Sequence, residues 1–419
     1  MAMKYVIFLG DGMADDPQPE LGGKTPLEVA EKPNMDRIAR EGVCGTLSTV
    51  PDGMPPDSTV ANLSVLGYDP RECLEGRGVL EAAAMGVEIG PNDHAMRLNL
   101  INVQNGAIIS HSAENITSEE AAVLIDALRS EFKRDGVEFY PGVSYRHVLK
   151  LTRSASKAID CQPPHDHLDE PMVDHLPRAT APEGEATAAL LRELILESKK
   201  ILESHPINLA RAQRGLQKAN YCWPWSIGRK PRMKPFQEMF GVRGAVVAAV
   251  DLIRGIGVCA GMTSVRVEGA TGLWNTNYEG KADAALRLLE DHDLVYIHVE
   301  ASDEAGHEGN LDLKVKTIEY LDRRLIARVM PGAKERFGAA VRFAILPDHY
   351  TPIAVRTHVV TPVPFAMSGP GFSPDAVQTY AERSCAQGRW PNLKGAAFMK
   401  KLTCATADCA DSAASEPSS

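Results

Sequence analysis

Three short runs of the chain are almost wholly apolar: Tyr5 to Leu9 (YVIFL), Leu294 to Val299 (LVYIHV) and Val341 to Leu346 (VRFAIL). They are too short for core helices and lack the alternation of half-exposed strands, so they predict parallel strands buried on both faces. Each run breaks abruptly into polar sequence. Gly10-Asp11-Gly12 follows the first, Glu300-Ala301-Ser302-Asp303 the second and Pro347-Asp348-His349 the third. Open α/β sheets gather ligands at the carboxyl ends of their strands. Three strands that each deliver an acid there, one of them followed at once by a histidine, predict a shared site rather than three solvated loops.

The texture changes between roughly 90 and 240. Strand-like pieces such as Met96 to Val103 alternate with a helical stretch near Ser118 to Phe132 and a long amphipathic helix over Glu185 to Glu203. Cys161 to Pro182 is rich in Pro, His and Asp and is expected to be loop. The expectation is therefore a discontinuous α/β domain, 1–90 with 241–405, whose mostly parallel sheet is flanked by helices. A smaller α+β domain, 91–240, is inserted into it and covers the site. Residues 406–419 are small and polar and are expected to form a flexible tail. No repeat of 20–50 residues is present.

Composition narrows the class. Hydrophobic residues make up 44% and charged residues 24%, and the formal net charge is -10. A chain this acidic is a poor non-specific nucleic-acid binder, so no nucleic-acid partner is expected. An anionic substrate would need local cations. No stretch reaches the about 18 apolar residues that span a bilayer, and no targeting segment is evident, so the expected location is cytoplasmic with no membrane partner. The eight cysteines, Cys44, Cys73, Cys161, Cys222, Cys259, Cys385, Cys404 and Cys409, form no CxxC pair and are expected to be reduced. Oligomeric state is left open.

Candidate chemistry follows the strand ends. Asp303 and His307 lie four apart, so one helical turn aims both side chains the same way. A carboxylate with an imidazole suits Mn²⁺, Zn²⁺, Co²⁺ or Mg²⁺. Asp348 and His349 are adjacent and reach one ion only from a bent backbone, or serve two ions from one wall. His358 sits in a proline-rich stretch that fixes its backbone, and could equally be a core histidine bonded to a carbonyl. Asp11 lies between glycines that permit a tight turn and close ligand approach. Ser58 opens a stretch, Thr59 to Leu66, that fits two helical turns stopped at Gly67. As N-cap or first residue it could simply cap the helix. The same position stabilises an alkoxide and binds phosphate.

Several segments, in order, carry a resemblance: YVIFLGDGMAD, STVANLSVLGYDP, FYPGVSYRHVLKL, PPHDHLDEP, GATGLWNTNYEGKA, YIHVEASDEAGHEGN and ILPDHYTP with THVVTPVPF. Over roughly residues 3–400 the chain resembles the alkaline phosphatase superfamily. It is more closely similar to the cofactor-independent phosphoglycerate mutases, in the branch first recognised in archaea and sometimes labelled proposed homoserine kinases. The resemblance implies an alkaline-phosphatase-like fold, with two divalent ions and no 2,3-bisphosphoglycerate. It implies one metal on Asp11, Ser58, Asp348 and His349 and the other on Asp303, His307 and His358. Ser58 would carry a phosphoserine while 2- and 3-phosphoglycerate interconvert.

The inserted domain would exclude water and bind the small phosphorylated substrate. Arg97, Arg146, His147, His165, Asp166 and Arg229 there, and Lys281 just beyond it, are the candidates for that contact, with His165-Asp166 as a proton shuttle. The chain departs from the family where Asp57 precedes Ser58 and Thr59 follows it, and in the stretch WPWSIGRKP. Water as acceptor would make a phosphatase of the same site, and homoserine a kinase. The absence of a GxxxxGK[ST] loop weighs against the kinase. A non-catalytic binding descendant would show lost ligand residues, and none is lost.

Overall fold

The three apolar runs are adjacent strands of one sheet. In a computed structural model that describes residues 2–152 and 155–404, Lys4–Gly10 lies between Leu294–Val299 and Val341–Leu346 and is parallel to both. Gly10 pairs with Val299 and Leu9 with Leu346, so the three carboxyl ends finish flush at one edge. Every residue of the three strands is buried, which is why they are apolar without alternation. The expected tail at 406–419 and Cys409 lie outside the described residues. The seven described cysteines are free thiols.

The chain divides into two compact units, one made of residues up to Leu74 and from Arg232 onward, the other of Glu75–Pro231. The sheet of the first unit has eight strands, in the order Thr263–Val265, Gly244–Val247, Leu294–Val299, Lys4–Gly10, Val341–Leu346, Val363–Ser368, Gly42–Ser48 and Trp390–Lys394. The pairings are parallel except at the two edges of Val363–Ser368. Parallel strands require covered faces. Val6, Phe8, Val295, Ile297 and Phe343 pack in one core with Ala285 and Leu289 of the helix Tyr278–Asp291 and Val329 and Ala333 of the helix Ala327–Phe337. The fold is thus a mostly parallel α/β sheet flanked by helices.

The second unit is antiparallel. His94–Gln104 pairs with Ala107–Ser110, Arg146–Leu151 and Tyr221–Arg229, and Val137–Val143 extends the sheet beyond Arg146–Leu151. Helices form at Ser118–Glu131 and Glu185–Leu202. The first is capped by Thr117, whose side chain accepts from Glu120 N, and has acids in its first turn. Leu124, Leu128, Leu191 and Leu194 of the two helices share a core with Met96, Leu98 and Leu149 of the sheet. The proline-rich stretch after Cys161 runs mostly through short turns, Pro164–Asp166, Met172–His175 and Pro182–Gly184. Among the described residues, no helix is long and apolar enough to cross a membrane.

Candidate active site

The first strand turns sharply after Gly10, and Gly12 takes φ +58°. A Cβ there would stand 2.5 Å from both Asp303 Oδ1 and Thr351 Oγ1, so only glycine lets the turn after Asp11 pass so close to them. Ser58 is the first residue of the helix Ser58–Val65. Asp57 is its N-cap and accepts from Thr59 N at 2.7 Å. The departure at Asp57 is therefore a cap, and Ser58 keeps its hydroxyl for the site. The remaining seven residues of that helix are all buried.

Four donors meet at the first centre. His349 Nε2 lies 3.2 Å from Ser58 Oγ, 3.4 Å from Asp11 Oδ1 and 3.4 Å from Asp348 Oδ2. The bent backbone that neighbouring ligands require is held by Asp348 itself, whose Oδ1 accepts from the N–H groups of His349 and Gly12. Three donors meet at the second centre. Asp303 and His307 share the helix Ala301–Glu308, with Oδ2 3.2 Å from His307 Nε2, while Oδ1 is 3.4 Å from His358 Nε2. The two imidazole Nε2 atoms are 3.0 Å apart.

The tautomers decide what these centres can hold. His307 Nδ1 faces the Arg356 carbonyl at 3.0 Å, and His358 Nδ1 the Pro56 carbonyl at 3.3 Å. Carbonyls only accept, so each Nδ1 carries the hydrogen. Thr351 Oγ1 gives its hydrogen to Asp303 Oδ1 at 2.5 Å and therefore accepts from His349 Nδ1 at 3.2 Å. All three rings thus aim Nε2 into the centres, among carboxylates, where the neutral ring carries a lone pair. Lone pairs converging on carboxylates repel unless a proton or a cation lies between them. His358 is both things the sequence allows, bonded to a carbonyl and aimed into the site.

Electrostatics agree. Burial, then the charges of Asp348, Asp303 and Glu300, hold the Asp11 carboxyl well above its usual range. Its Oδ1 is buried without a hydrogen-bond partner. Burial pushes Asp303 up, but hydrogen bonds from His307 and His358 outweigh it and hold this carboxyl below its usual range. The hydrogen bond to Asp303 in turn raises His307 to about 9. Burial keeps His349 below its usual value, in the neutral form that coordinates metals. Two cationic centres fit this donor set, since borderline divalent ions take mixed carboxylate and imidazole ligands.

Further residues belong to the site that no spacing in the sequence marks. Asn62 Nδ2 donates to Asp348 Oδ2 and to the Ser58 carbonyl, both at 2.8 Å, and its Oδ1 accepts from the Tyr296 hydroxyl. Ser302 Oγ donates to the Asp11 carbonyl at 2.6 Å. His298 Nε2 stands 3.0 Å from Asp11 Oδ2. A histidine inside an otherwise apolar buried strand was the one available signal. Glu300 is raised to about 8, chiefly by burial.

The candidates for substrate contact separate. In the second unit, the Arg97 guanidinium lies over the Trp225 ring at 4.3 Å, with Glu81 Oε1 3.1 Å away. Arg77 and Arg146 are near enough to lower its pKa further, behind burial and against Glu81. His165 packs edge-on to Trp225 at 5.3 Å and lies 5.9 Å from His111, with Asp166 Oδ1 3.6 Å from its Nε2. Arg97, Arg146, His165 and Asp166 therefore form one cluster, which Arg77, His111 and Trp225 join.

Three candidates do not join it. Arg229 donates to His94 Nε2 at 2.9 Å instead. His147 is 1% exposed, accepts from Gly142 N at 3.0 Å, and is pushed down to about 3 by burial, so it has no charge to offer an anion. Lys281 is fully buried and gives its ammonium to the His298 carbonyl at 3.0 Å. It supports the strand behind Asp11 and cannot present a cation to solvent.

Comparison with known proteins adds independent findings. The family model for 2,3-bisphosphoglycerate-independent phosphoglycerate mutase matches residues 39–208. The chain is 47% identical over 402 residues to the mutase of that name from Methanothrix thermoacetophila, covering 96% of this chain and 99% of the relative. It is 48% identical to a probable mutase of the same kind from Geobacter sulfurreducens, over 91% of this chain and 95% of that one. A solved structure of the cofactor-independent phosphoglycerate mutase from Thermoplasma acidophilum superposes with a TM-score of 0.64 at 26% identity, covering 95% and 98% of the two chains.

Proposed function

The chain belongs to the family of 2,3-bisphosphoglycerate-independent phosphoglycerate mutases, and from that premise we propose that it interconverts 2- and 3-phosphoglycerate through a phosphoserine on Ser58. Two divalent ions, Mn²⁺ first and Zn²⁺, Co²⁺ or Mg²⁺ as substitutes, would be held by Asp11, Ser58, Asp348 and His349 and by Asp303, His307 and His358. When bound, such ions neutralise phosphoryl oxygens and lower the pKa of a hydroxyl. The reading is carried by one observation: seven donors from separate segments converge, with three imidazole Nε2 atoms aimed inward and the Ser58 hydroxyl 3.2 Å from one of them.

The chain's own groups then do the following. Ser58, as its alkoxide, forms a bond from Oγ to phosphorus as the ester oxygen of the substrate leaves. The glycerate turns, and its other hydroxyl takes the phosphoryl group back, restoring Ser58. The start of a buried helix favours the negative charge that gathers there. Arg97 and Arg146 supply cations for the substrate's carboxylate. His165, held below its usual pKa chiefly by burial, is neutral and can carry a proton between the two glycerate hydroxyls, with Asp166 beside it.

Incubating the metal-loaded protein with 3-phosphoglycerate tests this. The expected product is 2-phosphoglycerate without equivalent free phosphate, and Ser58→Ala is expected to lose at least about 10³-fold in kcat. Free phosphate as the main product would make the chain a phosphatase. Full mutase activity in Ser58→Ala would exclude the phosphoserine.

A further inference from the structure

His167, Glu170 and His175 use none of the residues around Ser58, and the mutase chemistry makes no demand on them. They sit in the second unit, on the turn-rich stretch after Cys161. Glu170 Oε2 is 2.7 Å from His175 Nε2 and 3.1 Å from His167 Nδ1. The two rings stack at 3.8 Å with 19° between their planes. One ligand atom from each residue lies within 4.8 Å of the others.

Hydrogen-bond accounting fixes the His167 tautomer. Gln162 Nε2 donates to Asp160 Oδ1 at 2.7 Å, so the Gln162 amide oxygen is the atom facing His167 Nε2, at 3.4 Å. An amide oxygen only accepts, so His167 carries its hydrogen on Nε2. Its Nδ1 lone pair then points at a carboxylate oxygen. That contact is repulsive unless a proton or a cation lies between them, the same situation as at the two centres near Ser58. A hydrogen-bond acceptor on the other ring nitrogen, here the Gln162 amide oxygen, is also what orients metal-binding histidines.

The backbone holds the arrangement in place. Asp169 N donates to the Ile108 carbonyl at 2.8 Å, Ile108 N to the Glu170 carbonyl at 3.0 Å and Met172 N to the Gly106 carbonyl at 2.9 Å. Met172 is 4% exposed and belongs to the core with Trp223, whose Nε1 donates to the Gln162 carbonyl at 2.8 Å. The loop is thus pinned to the sheet edge on both sides of Glu170, so binding would cost little ordering entropy.

We propose that His167, Glu170 and His175 bind a zinc-class divalent ion. Two imidazoles and one carboxylate form a donor set for Zn²⁺ that leaves a fourth position open to water. The site lies next in sequence to His165 and Asp166, so an ion here would steady the loop that carries them.

The test counts zinc in the full chain after equilibrium dialysis against buffered Zn²⁺, in the parent, in His167→Ala/His175→Ala and in Glu170→Gln. The expected result is one zinc fewer per chain in the double variant and weakened retention in Glu170→Gln. Far-UV circular dichroism and a cooperative thermal transition should show both variants folded. Glu170→Gln leaves the backbone pins intact, should the double variant unfold. Counting by difference makes the outcome independent of whether the centres near Ser58 load. Equal zinc in the parent and in a folded variant overturns the proposal and leaves a shared proton as what joins Glu170 to the two rings.

Discussion

At Thr351 one hydroxyl serves both centres, donating to Asp303 Oδ1 and accepting from His349 Nδ1. Thr351→Val keeps the shape and removes both bonds. The His349 ring then loses the partner that fixes its hydrogen on Nδ1, and Asp303 loses a charge-assisted bond. Metal affinity is expected to fall about 10–100-fold, the usual cost of removing a group that orients a ligand. Competition with a chelator of known affinity measures it, and an unchanged affinity would mean that the rings are oriented without Thr351. This residue also shows where the sequence stops being readable. Asp11, Asp303, Asp348 and His349 could be picked out because acids and a histidine directly behind apolar strands are unusual, His307 by its four-residue spacing from Asp303, and His358 only through the family resemblance. Thr351, Asn62 and Ser302 are ordinary residues whose role depends on which atom faces them across the fold. No local pattern encodes that. Lys281 and His147 fail in the opposite sense, since residue type suggests a cation while burial removes its use.

The helix Ser58–Val65 was legible as an element because its apolar run and the glycine at 67 mark its length. Whether Ser58 is its N-cap or its first residue was not, because serine suits both positions. The structure assigns the cap to Asp57 through the bond to Thr59 N at 2.7 Å. Asp57→Ala is therefore expected to destabilise the first unit by about 1 kcal/mol, and Asp57→Ser to retain most of that. Chemical denaturation compares them. An Asp57→Ala protein as stable as the parent would show that the cap contributes nothing. The strand ends illustrate a second limit at this scale. Three buried strands could be found one at a time from their apolar runs. Their flush register, which brings Asp11, Asp303 and Asp348 together, comes from pairing between segments some 290 to 340 residues apart in sequence, such as Tyr5 with Leu294 and Lys4 with Val341.

At the scale of the whole molecule, the site is a concentration of buried acid in a chain whose net charge is already -10. Without metal, Asp11 is held well above its usual pKa and Glu300 at about 8, both first by burial. Hydrogen bonding to Asp303 raises His307 to about 9. In all three the folded value exceeds the unfolded one, so each contributes stability at low pH that is lost as pH rises through the folded pKa. Asp303 has the opposite sign, and its contribution is lost in acid as pH falls below the usual carboxylate range. Across pH 5–9 the metal-stripped protein should therefore lose stability steadily, the carboxyl groups of Asp11 and Glu300 first and His307 last. Divalent ions neutralise the same carboxylates, so the loaded protein should lack that alkaline decline. Mass action adds about 2.7 kcal/mol per site at a free ion concentration 100 times Kd. Thermal denaturation across pH 5–9, with EDTA and then with Mn²⁺ restored, should give two curves that diverge as pH rises. Parallel curves would mean that the acids around Asp11 take up no cation, and the reading of the two centres would fall with them.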